Sequence, residues 1–240
     1  MIIQLSCLSK FWGTLYSSDK RIVLSVPKKI EKEFQKRYEN LSFHQQEFPI
    51  IIQYFDNSGN KKELGKFNYI MTENRYFGQS NYGSTKLIDL IDIQQFENIS
   101  KLKLNINTER PYPNLKTIGS FIGVLLDENY IDFTFNGCSN SEGLSVGGSQ
   151  SHKNGYNCDI RYLRKNNEIG ASNLCGPDYK NIDTERHITL NTRLIDYGWH
   201  YLLSNHSKIT LYETKNDPKG RHCDHLHLQS YSSNYGVLYE

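Results

Sequence analysis

The chain has 240 residues, of which 37% are hydrophobic and 22% charged, with a net charge of +2. Its 17 Tyr and 11 Phe supply bulk for a core and exclude a wholly disordered chain. The longest apolar runs, 48–52 and 121–126, fall far short of the ~20 residues of a membrane helix, so membrane insertion is not expected. Lys and Arg are scattered without a clustered basic stripe, so nucleic acid is not the expected partner.

Met1 to Lys10 shows no basic start and no small-residue cleavage site, so it does not read as a secretory signal. The first half then reads as strands. Arg21 to Val26 is one, and Ile50 to Phe55 is a second. Asp56-Asn-Ser-Gly-Asn is a turn, and Leu64 to Met71 completes a hairpin. Pro27 to Asn40 is charged and fits a short helix. Lys101 to Asn107 alternates strictly, as a half-buried strand does. Pro111-Tyr-Pro breaks the pattern and marks a boundary. The expected organisation is a β-rich module over 1–110, with a docking, cargo or wall-binding role, and a second domain over 112–240.

The second half concentrates Gly, Ser, Cys and His. Tyr130 to Phe135, Cys158 to Leu163, Lys208 to Glu213 and His225 to Gln229 read as strands. Gly143 to Gly155 is a small-residue loop, and Asp217-Pro-Lys-Gly is a turn. Between Ile182 and about Asn205, apolar residues at helical spacing predict two helices separated at Gly198, with Asp183 as an N-cap. The result is an α+β class with an antiparallel sheet and flanking helices. Five cysteines, Cys7, Cys138, Cys158, Cys175 and Cys223, form no CxxC pair. Buried free thiols are expected, with one Cys138–Cys175 disulfide as the alternative.

Two clusters carry chemistry. The later one is His222-Cys-Asp-His225-Leu-His227. In a strand, side chains alternate faces, so His225 and His227 point together while Leu226 and Leu228 point to the core. His222 precedes them at the turn and can lean over the same spot. A lone histidine is usually a satisfied polar group; three within six residues, two in register, indicate a site. The earlier cluster is Ser149-Gln-Ser-His152-Lys-Asn-Gly-Tyr-Asn-Cys-Asp159-Ile. By itself His152-to-Asp159 reads as a polar loop. Joined to the HxH strand, it offers His, Asp and His, a set that zinc accepts. Three protein ligands leave a position open, which is the catalytic arrangement.

The motifs HxxGxxxDI over 152–160 and HxxHxH over 222–227 resemble those of the LAS group of zinc peptidases. That group comprises lysostaphin-type enzymes, D-alanyl-D-alanine carboxypeptidases and the hedgehog signalling domain. The pattern is most similar to the penicillin-insensitive murein endopeptidases and covers roughly residues 115–240. The resemblance implies a LAS/hedgehog-like fold, Zn2+ as cofactor, and His152, Asp159 and His227 as its ligands. It implies catalytic roles for His225 and His222. Two departures stand out. Ser149 replaces a family histidine, and the glutamate base of the carboxypeptidase branch has no counterpart among His222, Cys223 and Asp224. An ideal strand would point Asp224 away from His225.

The expected function is hydrolysis of peptide cross-links or stem peptides in bacterial peptidoglycan. With no signal recognised, the expected route is non-classical delivery to a target periplasm or the cell exterior. An antibacterial effector or lysin would have a secretion machine or an immunity protein as partner. Two other classes stay open: a metal-dependent nuclease, and a non-catalytic zinc-stabilised binding module.

Overall fold

The structure, a computed structural model, describes residues 2–4, 11–13, 21–25, 48–55, 61–72, 76–77, 80–81, 85–91, 104–128, 130–145, 151–231 and 237–239. In chain order the strands of the first half are β1 (Ile2–Gln4), β2 (Phe11–Gly13), β3 (Arg21–Ser25), β4 (Phe48–Phe55), β5 (Lys61–Met71), β6 (Tyr76–Phe77), β7 (Ser80–Asn81) and β8 (Lys86–Ile88). Five of them form a sheet of order β1-β3-β4-β5-β8. The expected hairpin is β4–β5, antiparallel with Phe55 opposite Lys61. The expected helix over Pro27 to Asn40, the turn at 56–60 and Cys7 lie outside the described residues.

The second half builds a six-stranded sheet. Its strands are β9 (Asn105–Ile106), β10 (Thr134–Gly137), β11 (Cys158–Arg161), β12 (Trp199–Ser204), β13 (Thr214–Asn216) and β14 (His225–Tyr231), in the order β13-β12-β14-β11-β10-β9. The four central strands are antiparallel, but β13 runs parallel to β12 and β9 parallel to β10. The sheet is therefore mixed, where a purely antiparallel one was expected. Each parallel pairing is made by a short edge strand, β13 or β9.

Two helices cover one face, α1 (Leu115–Glu128) and α2 (Thr184–Asp196). On α1, Ile118, Phe121, Ile122 and Leu125 are buried at i, i+3, i+4, i+7, the spacing of one helical stripe. They meet Phe135, Ile160, Leu202, Leu226 and Leu228 of the sheet in one core. Phe121 stands edge-on to Phe135 at 5.3 Å. Asp183 caps α2 as expected, its carboxylate accepting the Arg186 N–H at 3.0 Å. No described helix is long and apolar enough to cross a membrane.

Three expectations are corrected. The helix thought to follow Gly198 is strand β12: Gly198 sits at φ 104, ending α2, and Trp199 to Ser204 pairs with β14. Lys208 to Glu213 is not a strand; the chain there turns to bury Leu211 before β13 begins at Thr214. The four described cysteines are neither free nor paired as Cys138–Cys175: the disulfides are Cys138–Cys158 and Cys175–Cys223. The first joins the adjacent strands β10 and β11, whose register places Gly137 opposite Asp159.

The second half also reaches across the Pro111 break. Strand β9 precedes that break and belongs to the second sheet, and the buried Leu104, Ile88 and Leu90, also ahead of it, belong to the same core. A final strand, β15 (Val237–Tyr239), pairs antiparallel with β2.

Candidate metal centre

The sheet has one covered face and one open face. Leu226 and Leu228 of β14, Cys158 and Ile160 of β11 and Leu202 of β12 point into the core. Alternation therefore sends His225, His227 and Gln229, Asp159 and Arg161, and Tyr201 and Leu203 to the other side. Register does the rest: Asp159 lies opposite His227, and Arg161 opposite His225. The two sequence motifs meet because β11 and β14 are neighbours.

His152 arrives from a loop. It precedes a 3-10 turn, Lys153–Gly155, and its backbone N–H donates to Ser145 Oγ at 3.2 Å. Gly143 O accepts the next anchor, the Asn154 N–H, at 2.8 Å. The loop thus lowers the imidazole onto the open face, where His152 is 1% exposed. Residues 146–150, including Ser149, lie outside the described residues.

Three donor atoms converge. His152 Nε2 lies 3.2 Å from His227 Nδ1 and 3.3 Å from Asp159 Oδ1, and His227 Nδ1 lies 2.7 Å from Asp159 Oδ1. Zinc bonds of about 2.0–2.1 Å set a tetrahedral edge of about 3.3 Å. Two of the three separations match that edge, and the third is a hydrogen bond that an ion would open slightly. The set is buried, and it can hold a metal ion. The donor chemistry, two imidazoles and one carboxylate, suits a borderline divalent metal.

The surrounding groups orient these donors. Cys138 O lies 3.2 Å from His152 Nδ1 and helps to set the ring's orientation, with Nε2 facing Asp159 and His227. Arg110 donates to the same carbonyl at 3.3 Å, lies 3.0 Å from His152 Nδ1, and places Nη2 3.6 Å from Asp159 Oδ2. Gly137 makes this possible. It sits at φ 141, and a Cβ there would lie 2.9 Å from both Arg110 Nη2 and Thr108 Oγ1. Burial pushes the Asp159 carboxyl up, but the hydrogen bonds from His152 and His227 and the nearby His225 outweigh it and hold the group well below the usual carboxylate range.

His225 and His222 stand at the rim. His225 Nε2 is 3.6 Å from Asp159 Oδ1, and its Nδ1–H donates to Asp224 Oδ1 at 2.8 Å. Arg161 holds the other Asp224 oxygen at 2.5 Å and its backbone carbonyl at 3.2 Å. Asp224 does not point away as an ideal strand would require, because it sits in the turn just ahead of β14. Burial lowers the His225 pKa, but Asp224 and Asp159 reverse the sign and raise it above the usual value. His222 stacks on His227 with ring centroids 5.1 Å apart and 24° between planes, and stands edge-on to His225. Its Nδ1 is 3.0 Å from Asp217 Oδ2. Burial and its two histidine neighbours lower its pKa to about 4, so it is neutral at pH 7.

All five residues singled out by sequence therefore come together on one face. Sequence reasoning missed Arg110, Asp217 and the Cys138 carbonyl. Arg110 sits beside a proline break with no motif around it, and a backbone carbonyl has no sequence signature. Compared with known proteins, the chain matches no family model, no curated protein and no solved structure.

Proposed function

We infer that the protein is a zinc-dependent hydrolase of peptide bonds, acting on the peptides of bacterial peptidoglycan. The observation that carries the reading is the triangle of His152 Nε2, Asp159 Oδ1 and His227 Nδ1, with 2.7–3.3 Å edges, beside an oriented histidine. His152, Asp159 and His227 would hold the ion. Zinc, when bound, supplies Lewis acidity toward water and toward the scissile carbonyl.

The chain's own groups supply the rest. Asp224 fixes the His225 ring and takes its Nδ1–H, so Nε2 presents a lone pair toward the ligand cluster. That nitrogen accepts a proton from the attacking water and returns it to the departing amine. Arg110 holds the second oxygen of Asp159, keeping the carboxylate from swinging away from the two imidazoles. His222, neutral and packed on His227, keeps that ring from tilting and lines the approach.

The peptidoglycan substrate and the LAS/hedgehog-like fold rest on the motif resemblance, supported by the two motifs meeting on adjacent strands in the order the resemblance implies. Delivery by an export machine with an immunity protein as partner belongs to the same reading. The experiment is digestion of purified sacculi with zinc-loaded protein, with muropeptides read by mass spectrometry and plasmid DNA as a parallel substrate. Cleaved peptide cross-links support the peptidase. Nicked plasmid with intact sacculi would replace it by a metal-dependent nuclease, and both intact would favour a zinc-stabilised binding module.

A further inference from the structure

A groove of about 460 Å³ lies on the open face, beside the candidate metal centre. Tyr201, Leu203 and Gln229 floor it, and Asn216, Lys219 and Arg221 wall it. The register joins it to the site: Leu203 lies opposite His227, and Tyr201 opposite Gln229, one step farther along the same two strands. Asp217 joins them a second time, since it lines the groove and contacts His222.

The charge of this groove is set by how Asp217 is used. Its carboxylate is chelated by Arg221, with Nη2 at 2.9 Å from Oδ1 and Nε at 3.2 Å from Oδ2, while His222 Nδ1 stands 3.0 Å from Oδ2. The Arg221 hydrogen bonds hold that carboxyl at about 2, so it is ionised and already matched. Lys219, exposed on the wall of the groove, has no carboxylate partner among the described residues. The balance is positive, over a floor that is aromatic, aliphatic and amide. A positive wall above such a floor suits an extended peptide that carries a carboxylate.

We propose that this groove binds a free carboxylate of the substrate peptide, with Lys219 as its charge partner, and so sets which acidic peptide reaches the metal centre. The proposal rests on the hydrolase reading for its meaning, but its test does not. Acetyl-D-alanyl-D-alanine and its C-terminal amide are titrated into the zinc-loaded full chain, with binding read by calorimetry and by the amide shifts of Gln229 and Leu203. The carboxylate form should bind at least tenfold more tightly than the amide. Lys219→Gln should remove that difference while leaving zinc content and Tm as in the wild type, and Lys219→Arg should restore it. On sacculi, Lys219→Gln should raise KM about fivefold or more with kcat unchanged.

Equal binding of acid and amide would overturn the proposal, as would an acid preference that survives in Lys219→Gln, which would place the carboxylate on the metal. Inorganic phosphate displacing the peptide at equal concentration would also overturn it, since the groove would then read charge alone and a phosphodiester polymer would fit it better. Selective, Lys219-dependent binding without any sacculus cleavage would sink the hydrolase reading and leave the groove. Cleavage with an unchanged KM in Lys219→Gln would do the reverse.

Discussion

Asp159 gathers two histidine nitrogens within hydrogen-bonding reach, a third imidazole at 3.6 Å and a guanidinium, all around one buried carboxylate. Three of the four partners are histidines, so a cation other than Arg110 is the natural centre of the group. His152→Ala, Asp159→Asn and His227→Ala should therefore each lose most of the roughly one zinc bound per chain, measured by elemental analysis after dialysis. Full occupancy in all three would dismiss the ligand set. His225 is held differently, by Asp224 on its far nitrogen. His225→Ala should keep its zinc and slow sacculus cleavage by roughly 10²–10⁴-fold, the range for a lost proton transfer. Asp224→Asn should keep zinc and slow it less, because orientation is weakened while the base remains. Loss of metal from His225→Ala would make it a ligand instead. The five side chains were legible in the sequence because strand alternation and motif spacing are local. Arg110 and Asp217 were not, since their partners lie tens of positions away or are reached only after a turn folds back.

Among the elements, α1 shows how local preference and packing part ways. Its run Phe121-Ile-Gly-Val-Leu-Leu is rich in β-formers with a glycine in the middle, yet the spacing of Ile118, Phe121, Ile122 and Leu125 is helical and the core enforces it. Gly123 tests this. A mid-helix Gly→Ala change ordinarily stabilises by about 1 kcal/mol. Here an added Cβ would collide with the Tyr197 ring, itself fully buried. Gly123→Ala should destabilise by about 1–3 kcal/mol, as overpacking does, and a raised Tm would refute that packing.

At β12 the expected helix gives way to a strand, although Trp199, Leu202 and Leu203 continue the helical spacing of α2. Hydrogen bonds to β14, a non-local partner, decide the strand. On α2 itself, His187 is fully buried and its Nε2 accepts the Leu163 N–H at 2.9 Å. Burial lowers its pKa from 6.5 to about 4. The unfolded chain thus binds the proton first, and the contribution to stability is complete above about pH 6.5 and declines toward pH 4, by up to about 1.4 kcal/mol per pH unit. Urea melts at pH 7, 5.5 and 4.5 should show a steeper acid loss in wild type than in His187→Gln. Equal slopes would mean that His187 is charged when folded.

Across the whole molecule, the core of the second half includes residues ahead of the Pro111-Tyr-Pro113 break. A fragment of 112–240 lacks β9, Leu104 and Arg110, and leaves β15 without β2. It should melt below the full chain and bind zinc more weakly, whereas a fragment starting at residue 85 should recover most of the zinc affinity. Matching melts and affinities for the 112–240 fragment and the full chain would show that the core closes without those parts. The prolines report local backbone constraint, while the sheet order that crosses them is long-range. The disulfide pairing was hidden for the same reason: Cys138 and Cys158 face each other only once β10 and β11 are paired in register.

Those two disulfides differ in depth, and the difference fixes an order of failure. Cys138 and Cys158 are fully buried behind Asp159, whereas Cys175 and Cys223 are half-buried, and their bond ties the turn that carries His222 and Asp224 to the segment ahead of Pro177. Their loops span 20 and 48 residues, and closing them restricts the unfolded chain by about 3 and about 4 kcal/mol respectively. A dithiol reductant reaches Cys175–Cys223 first and slackens the turn while the ligand triangle stands. Hydrolysis should then fade before zinc is released, and thiol titration should count two sulfhydryls above the resting value at that stage, then four. Simultaneous loss of metal and activity would contradict this order. In a cytoplasm kept reducing, newly made chain would carry neither disulfide, and both the strands behind Asp159 and the turn of His222 would be clamped only on reaching oxidising surroundings.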